Sequence, residues 1–338
     1  MTIRSLISGC AALSLSHEEV KFFQKINPWG LILFKRNCES PDQLRNLTAQ
    51  FRSAVGRKDA PVFIDQEGGR VQRLGPPSNY WRKYPAAMEY GKQYDRCASL
   101  ALRTARNVGR LMADDLFEIG ITSSCLPVLD VPQPGAHDVI GSRAYSMRPE
   151  QIMTLARAHT VGLMEGGILP VMKHIPGHGR AEVDSHHNLP IVKSSRADLE
   201  RVDFLPFVSL ADCPMAMTAH VIYEALDKEY PATLSRKIIK NVVRKLIGFD
   251  GLLMTDDLSM KALQGTFTEK AQMALAAGCD MLLHCNGVMS EMEEVAEAAI
   301  PLAGKAMRRA KQALKAKRKP LPYDKKQALN ELEAILSV

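Results

Sequence analysis

Leu252-Leu253-Met254-Thr255-Asp256-Asp257-Leu258-Ser259-Met260 is a short apolar run that ends abruptly in two carboxylates. A run of three apolar residues and a threonine is too short for a helix and suits a strand covered on both faces, as in a parallel sheet. The same form recurs along the chain. Val62–Asp65 runs into Gln66-Glu67-Gly68-Gly69-Arg70, Ile121–Leu129 into Asp130, and Met215–Ala219 into His220; Ile168–His174 carries Lys173 and His174 at its end. Ile7–Leu13, Gly30–Phe34 and Met281–Cys285 complete the set of expected strands.

The intervening stretches have helical periodicity. Between Ala98 and Ile119 the apolar Leu100, Ala101, Val108, Leu111, Met112 and Leu116 recur at three- and four-residue spacing. Pro41–Val55, preceded by Ser40 as an N-cap, and Glu269–Ala277 read the same way. Strands alternating with helices predict a (β/α)8 barrel, an α/β fold of the TIM type. The alternative is a doubly wound open sheet, which usually carries a glycine-rich phosphate loop; no G-x-G-x-x-G or Walker motif follows a strand here. In a barrel, chemistry gathers where strands end. Five of the expected strands deliver titratable groups to that rim, which points to a site for a polar ligand. The expected organisation is one catalytic domain over 1–300, with a basic helical extension over 301–338 packed on the barrel. In that extension Leu329, Leu332, Ile335 and Leu336 share one helical face.

The chain of 338 residues is 46% hydrophobic and 24% charged, which excludes disorder. No apolar run approaches the ~18 residues of a membrane span. Seven scattered cysteines without a C-x-x-C pair argue against a disulfide framework or a zinc ribbon. Leu6-Ile7-Ser8-Gly9-Cys10 has the look of a lipoprotein cleavage box. Its basic and apolar regions are too short for export, and the residues read better as a buried strand, so a cytoplasmic protein is expected. The net charge of +7 is local: residues 305–326 hold ten Lys and Arg and one acid, Asp324. That segment could attract an anion or could be a solvated helix face. Without interleaved aromatics or a helix-turn-helix signal it predicts no nucleic-acid partner.

The densest chemistry lies in Lys173-His174-Ile175-Pro176-Gly177-His178-Gly179-Arg180 and Asp184-Ser185-His186-His187, which hold four of the nine histidines. A metal site is one reading, although no H-E-x-x-H accompanies it. A proton-transfer pair is another: Asp184, two residues from His186, could orient its ring and strengthen it as a base. Ordinary surface histidines are the third. In Asp256-Asp257 one carboxylate could face the barrel axis while the other caps the next helix, and strand parity alone leaves open which does which.

Five motifs, in order, closely resemble the β-N-acetylglucosaminidases of glycoside hydrolase family three, the peptidoglycan-recycling type. They are Asp65-Gln66-Glu67-Gly68-Gly69-Arg70-Val71-Gln72-Arg73, Lys173 to Gly179, Asp184-Ser185-His186, Met217-Thr218-Ala219-His220 and Thr255 to Met260. The resemblance runs from about Ile7 to Cys285. Ile175, where phenylalanine is usual, and His187 depart from the pattern. The resemblance implies that Asp256 is a nucleophile, that His186 is the general acid/base with Asp184 as its partner, and that Asp65, Arg73, Arg143, Lys173 and His174 bind sugar. It implies a small carbohydrate substrate (muropeptide fragments), no metal and no organic cofactor; a monomer without a membrane partner is the expected state. Retaining hydrolysis requires a carboxylate on one face of the sugar and a proton donor on the other, and histidine can donate and accept near neutral pH. A β-glucosidase of the same superfamily, a zinc hydrolase using His174, His178 and His186, and a catalytically silent sugar-binding barrel are the rival readings.

Overall fold

The computed structural model describes residues 2–181 and 189–337. Eight parallel strands close into a barrel: β1 Arg4–Ser8, β2 Pro28–Leu33, β3 Val62–Ile64, β4 Ser123–Ser124, β5 Leu169–Ile175, β6 Met215–Thr218, β7 Leu252–Asp257 and β8 Met281–His284. Ile7 pairs with both Gly30 and Leu283, so the last strand meets the first and no open edge remains. Closure overturns the doubly wound alternative.

The strands alternate as a pleat requires. Leu252, Met254, Leu169, Val171, Met215 and Met217 fill the barrel interior, whereas Leu253, Met172 and Ala216 pack outward under the helices. Helix Pro41–Ala54 starts at the Ser40 cap, whose hydroxyl accepts from the Gln43 N–H, and presents Leu44, Leu47 and Phe51 to the outer core. Helix Ala98–Phe117 buries Val108, Leu111, Met112 and Leu116 in the same layer. Helix Phe267–Ala277 starts two residues before the expected Glu269, at a Thr266–Glu269 capping box.

Two strands differ from expectation. The first was expected over Ile7–Leu13 and instead ends at Ser8. Beyond it the Cys10 carbonyl accepts from Arg36 Nε at 3.0 Å and from Asn37 Nδ2 at 3.1 Å, so side chains replace the ladder. The fourth, expected over Ile121–Leu129, keeps regular pairing only at Ser123–Ser124, with one further bridge at Val128. Pro127 has no N–H to donate, and the run follows β5 irregularly.

Past β8 the chain crosses beneath the barrel. Helix Gly304–Lys315 buries Ala310 and Ala313 against an interior cluster that includes Trp29, Leu302 and the first residues of β5 to β8: Leu169, Met215, Leu252 and Met281. It closes the N-terminal end. Helix Lys325–Leu336 buries Ala328, Leu332 and Ile335, with Leu329 and Leu336 partly covered. Its Glu331 accepts from Arg103 Nε at 2.6 Å and Asn107 Nδ2 at 2.8 Å on helix Ala98–Phe117. All seven cysteines are unpaired. Among the described residues no helix is long and apolar enough to cross a membrane.

Candidate active site

The C-terminal ends of the strands surround a cavity of about 250 Å³. Asp65, Arg73, Arg143, Lys173, His174 and Asp256, all singled out in the sequence, line it together. Phe34, Val71, Ile140, Met217, Met260 and Leu283 supply its apolar wall. Asp184 and His186 lie outside the described residues.

β3 gives way at Asp65 to a small hairpin, Gln66–Gly68 against Val71–Gln72. The turn needs glycine: Gly68 and Gly69 have φ of +96° and +55°. Buried Gln66 clasps the returning strand, donating to the Leu74 carbonyl at 2.7 Å and accepting from the Arg73 N–H at 3.1 Å. Arg73 therefore folds back onto Asp65, with Nη2 at 2.8 Å from Oδ2 and the guanidinium over the Phe34 ring.

Lys173 follows Val171 on the interior side of β5 and is almost wholly buried. Its Nζ lies 2.8 Å from Asp65 Oδ1 and 2.6 Å from Glu67 Oε1. Glu67 in turn receives both arms of Arg143, each at 2.8 Å. Burial opposes charge on all of these groups. For Asp65 the neighbouring Lys173 and Arg73 outweigh it, and for Glu67 Arg143 and Lys173 do, so both carboxyls are held below their ordinary range. Asp65 and Glu67 likewise keep the Lys173 ammonium charged against its burial. The result is a preformed ionic lattice in low dielectric, able to grip hydroxyl and acyl oxygens without titrating near neutral pH.

Asp130, fully buried, orients the next residue. Its Oδ2 lies 2.7 Å from His174 Nδ1, and its Oδ1 accepts from the His178 N–H at 2.6 Å. An ionised carboxylate only accepts, so the proton sits on Nδ1 and His174 keeps Nε2 for the cavity. Burial, with His174 adding to it, pushes the pKa of His178 down to about 4, so that ring is neutral.

The paired aspartates of β7 separate in what holds them. Both line the cavity, beyond the interior residues Leu252 and Met254 and at an irregularity in the pairing of β7 with β8. Asp256 Oδ1 accepts from the Asp257 N–H at 2.8 Å, and the carboxyl makes no ion pair among the described residues. Burial would raise its pKa; His220, His174, the Asp257 N–H and Lys173 together hold it below the ordinary value. Asp257 is taken up by backbone: Oδ1 accepts from the N–H groups of Ser259 at 3.0 Å and Cys285 at 3.1 Å, and Oδ2 from the Ser259 hydroxyl at 2.5 Å. His220 braces the same turn, with Nδ1 2.7 Å from Thr233 Oγ1 and Nε2 donating to the Asp257 carbonyl at 3.0 Å.

Both flanks of residues 182–188 are tied down. On one side Gly179 and Ala181 accept from the N–H groups of Gln133 and His137 at 3.1 and 2.8 Å. On the other, Ile191–Val192 pairs with Ile222–Tyr223. Glu67, Asp130 and His178 are visible at strand ends or in the quoted motifs, yet the sequence reading gives Glu67 and Asp130 no role and His178 only that of a ligand in the rival zinc-hydrolase reading. The signal was their position two residues after Asp65, directly after an apolar run, and four residues after His174. Among the described residues no cluster of three His, Cys, Asp or Glu could hold a metal ion.

Residues 4–316 match the family described as Glycosyl hydrolase family 3 N terminal domain. A Beta-hexosaminidase of Alkalilimnicola ehrlichii is 40% identical over 290 residues, covering 85% of this chain and 82% of that protein. Another from Chromobacterium violaceum is 41% identical over 261 residues, 76% of this chain and 71% of that one. Among solved structures, NagZ from Neisseria gonorrhoeae in complex with N-trifluoroacetyl-D-glucosamine aligns with a TM-score of 0.84 and 32% identity, over 100% of this chain and 96% of that one. The same protein has also been solved with a zinc ion.

Proposed function

This chain belongs to glycosyl hydrolase family 3, and from that membership we propose that it is an exo-acting, retaining β-N-acetylglucosaminidase of the cytoplasm. It removes terminal β-linked N-acetylglucosamine from N-acetylglucosaminyl-anhydromuramyl fragments and their peptides in cell-wall recycling. The coarser statement stands on its own: the protein is a glycoside hydrolase of the β-hexosaminidase kind.

The single observation that carries the mechanism is the state of Asp256: ionised, on the cavity side of β7, and free of any ion pair among the described residues. In the reaction proposed, Asp256 attacks the anomeric carbon as the bond to the leaving oxygen breaks. His186, held by Asp184, gives that oxygen its proton. A glycosyl ester on Asp256 results. His186 then takes a proton from water, the hydroxide equivalent displaces the ester, and the configuration is retained. Asp65, Arg73, Arg143, Lys173 and His174 position the sugar in advance, so little reorganisation accompanies charge development. The small volume of the cavity, about 250 Å³, supports an exo mode. Residues 1–300 hold this machinery, and 301–338 support it from beneath through helix Gly304–Lys315 and from the side through helix Lys325–Leu336. The enzyme acts as a monomer, without cofactor or metal.

The test combines an assay with a covalent trap. p-Nitrophenyl β-N-acetylglucosaminide should be cleaved and the glucoside poorly, with or without a chelator. Mass spectrometry after a slow fluorinated N-acetylglucosaminide should place the adduct on Asp256. An adduct on Asp257, or loss of activity with the chelator, overturns the mechanism.

A further inference from the structure

Below the barrel the chain builds a second charged concavity, unrelated to the site at the rim. Helical residues Arg236–Ile238 run on through Ile239–Leu246, helix Phe267–Ala277 ends beside them, and helix Gly304–Lys315 passes underneath. Between the three lies a recess of about 440 Å³, bordered by Arg236, Lys240, Arg244, Lys305 and Arg309. Gly278, with φ of +117°, ends helix Phe267–Ala277 there and puts no side chain into the space.

The five cations are of two kinds. Arg244 and Arg309 are fixed: both lean on Asp280, at 2.7 and 2.9 Å, and Arg309 also reaches Asp250 at 2.6 Å. Arg236, Lys240 and Lys305 are exposed and make no ion pair or side-chain hydrogen bond among the described residues. Arg236 and Lys240 stand four residues apart on one helix, where like charges repel. Burial and the charge of Arg309 together outweigh Asp280 and lower the pKa of Arg244. Nothing in the fold gains from gathering three unpaired cations around two anchored guanidiniums. The other basic groove at this end is different: Arg52 and Arg57 there donate to the Gly120 and Trp29 carbonyls at 2.6 and 3.1 Å, and those contacts hold the strand ends.

We propose that this recess is a binding site for a small soluble anion carrying two or more adjacent phosphates. Several cations facing one concavity match several negative charges on a compact ligand, and a lone carboxylate would neutralise only one of them. Guanidiniums already held in place lose little freedom on contacting phosphate oxygens, and the lysines can swing to meet the rest. A concave wall favours a free anion over a flat lipid surface.

The test is calorimetric titration of the full chain with sodium tripolyphosphate at low salt. Three proteins are compared: the natural chain, Lys240→Gln with Lys305→Gln, and a control, Lys311→Gln with Lys315→Gln, on the same basic helix outside the recess. Saturable one-to-one binding is expected, weakened about tenfold or more in the first variant and changed little in the control. It should fade as salt rises. Cleavage of a neutral aryl glycoside reports that both variants are folded. Absence of saturable heat in the natural chain overturns the proposal. So does equal weakening in the two variants, or binding to phosphatidylglycerol vesicles without binding of tripolyphosphate.

Discussion

At the C-terminal rim Lys173 is 2% exposed and touches two carboxylates, whereas at the N-terminal end Lys305, Lys311 and Lys315 stand in solvent on one helix without an ion pair among the described residues. The difference follows from solvation. Deep among side chains, an unpaired charge costs several kcal/mol, so Asp65, Glu67, Arg73, Arg143 and Lys173 come with ion-pair partners and fixed positions, and the Asp256 carboxyl, without an ion pair among the described residues, accepts from the Asp257 N–H. In water a charge needs no partner and gains little from one. The two ends therefore differ in what they can do. The rim holds donors and acceptors ready in one arrangement. The opposite end offers exposed positive charge, with Arg308 and Arg309 tied to Asp250 and Arg244 and Arg309 tied to Asp280.

Four experiments probe that contrast. The largest effect falls on the least paired group of the rim. Asp256→Ala should lower kcat by several orders of magnitude, while Asp257→Ala, which removes a clasp on the Ser259 and Cys285 backbone, should retain more activity; steady-state kinetics on an aryl glycoside compares them. Next comes a direct comparison of the two ends by urea unfolding. Glu67→Gln leaves Lys173 and Arg143 short of a buried partner and should cost about 3–5 kcal/mol, whereas Arg308→Gln, an exposed pair, should cost under about 1 kcal/mol. Equal costs would erase the distinction. The third effect depends on pH. The His178 pKa is lowered to about 4 from an ordinary 6.5, so below pH 6.5 the unfolded chain takes up a proton that the folded chain refuses. Stability attributable to this ring is intact above pH 6.5 and is lost as pH falls toward 4, by about 2 kcal/mol at pH 5. His178→Asn should flatten that part of the profile. The smallest effect is at the floor. Replacing Lys315, Lys317, Arg318 and Lys319 with Gln should leave kcat/KM unchanged even for an anionic muropeptide at low salt, because helix Gly304–Lys315 lies at the end of the barrel away from the rim and Lys317, just past it, sits over the Phe117 ring. A fall confined to the anionic substrate would mean that the basic end steers it.

Eight mainly apolar runs, bounded by helical periodicity, place all the barrel strands in the sequence, because burial on both faces keeps most residues within a strand apolar. The polar residue closing a run marks the rim for the same reason. Asp65, Asp130, Lys173, His174, His220 and Asp256 are legible in that way, and the roles proposed for Asp65, Lys173, His174 and Asp256 come from resemblance to a family. Strand limits are less legible. The end of β1 depends on Arg36 and Asn37 reaching back to the Cys10 carbonyl, and no local pattern records that contact.

Composition and periodicity by themselves determined an α/β alternation with titratable strand ends, and favoured a barrel over an open sheet, since burial and pleat follow from the order of apolar and polar residues. Only the tertiary structure decided who pairs with whom. Lys173 meets Asp65 across 108 residues of chain and Arg143 meets Glu67 across 76. It also decided that Asp256 makes no ion pair among the described residues while Asp257 clasps the Ser259 and Cys285 backbone, and that helix Gly304–Lys315 closes the floor. These are outcomes of distance and dielectric in three dimensions, and a one-dimensional pattern of residue types contains neither.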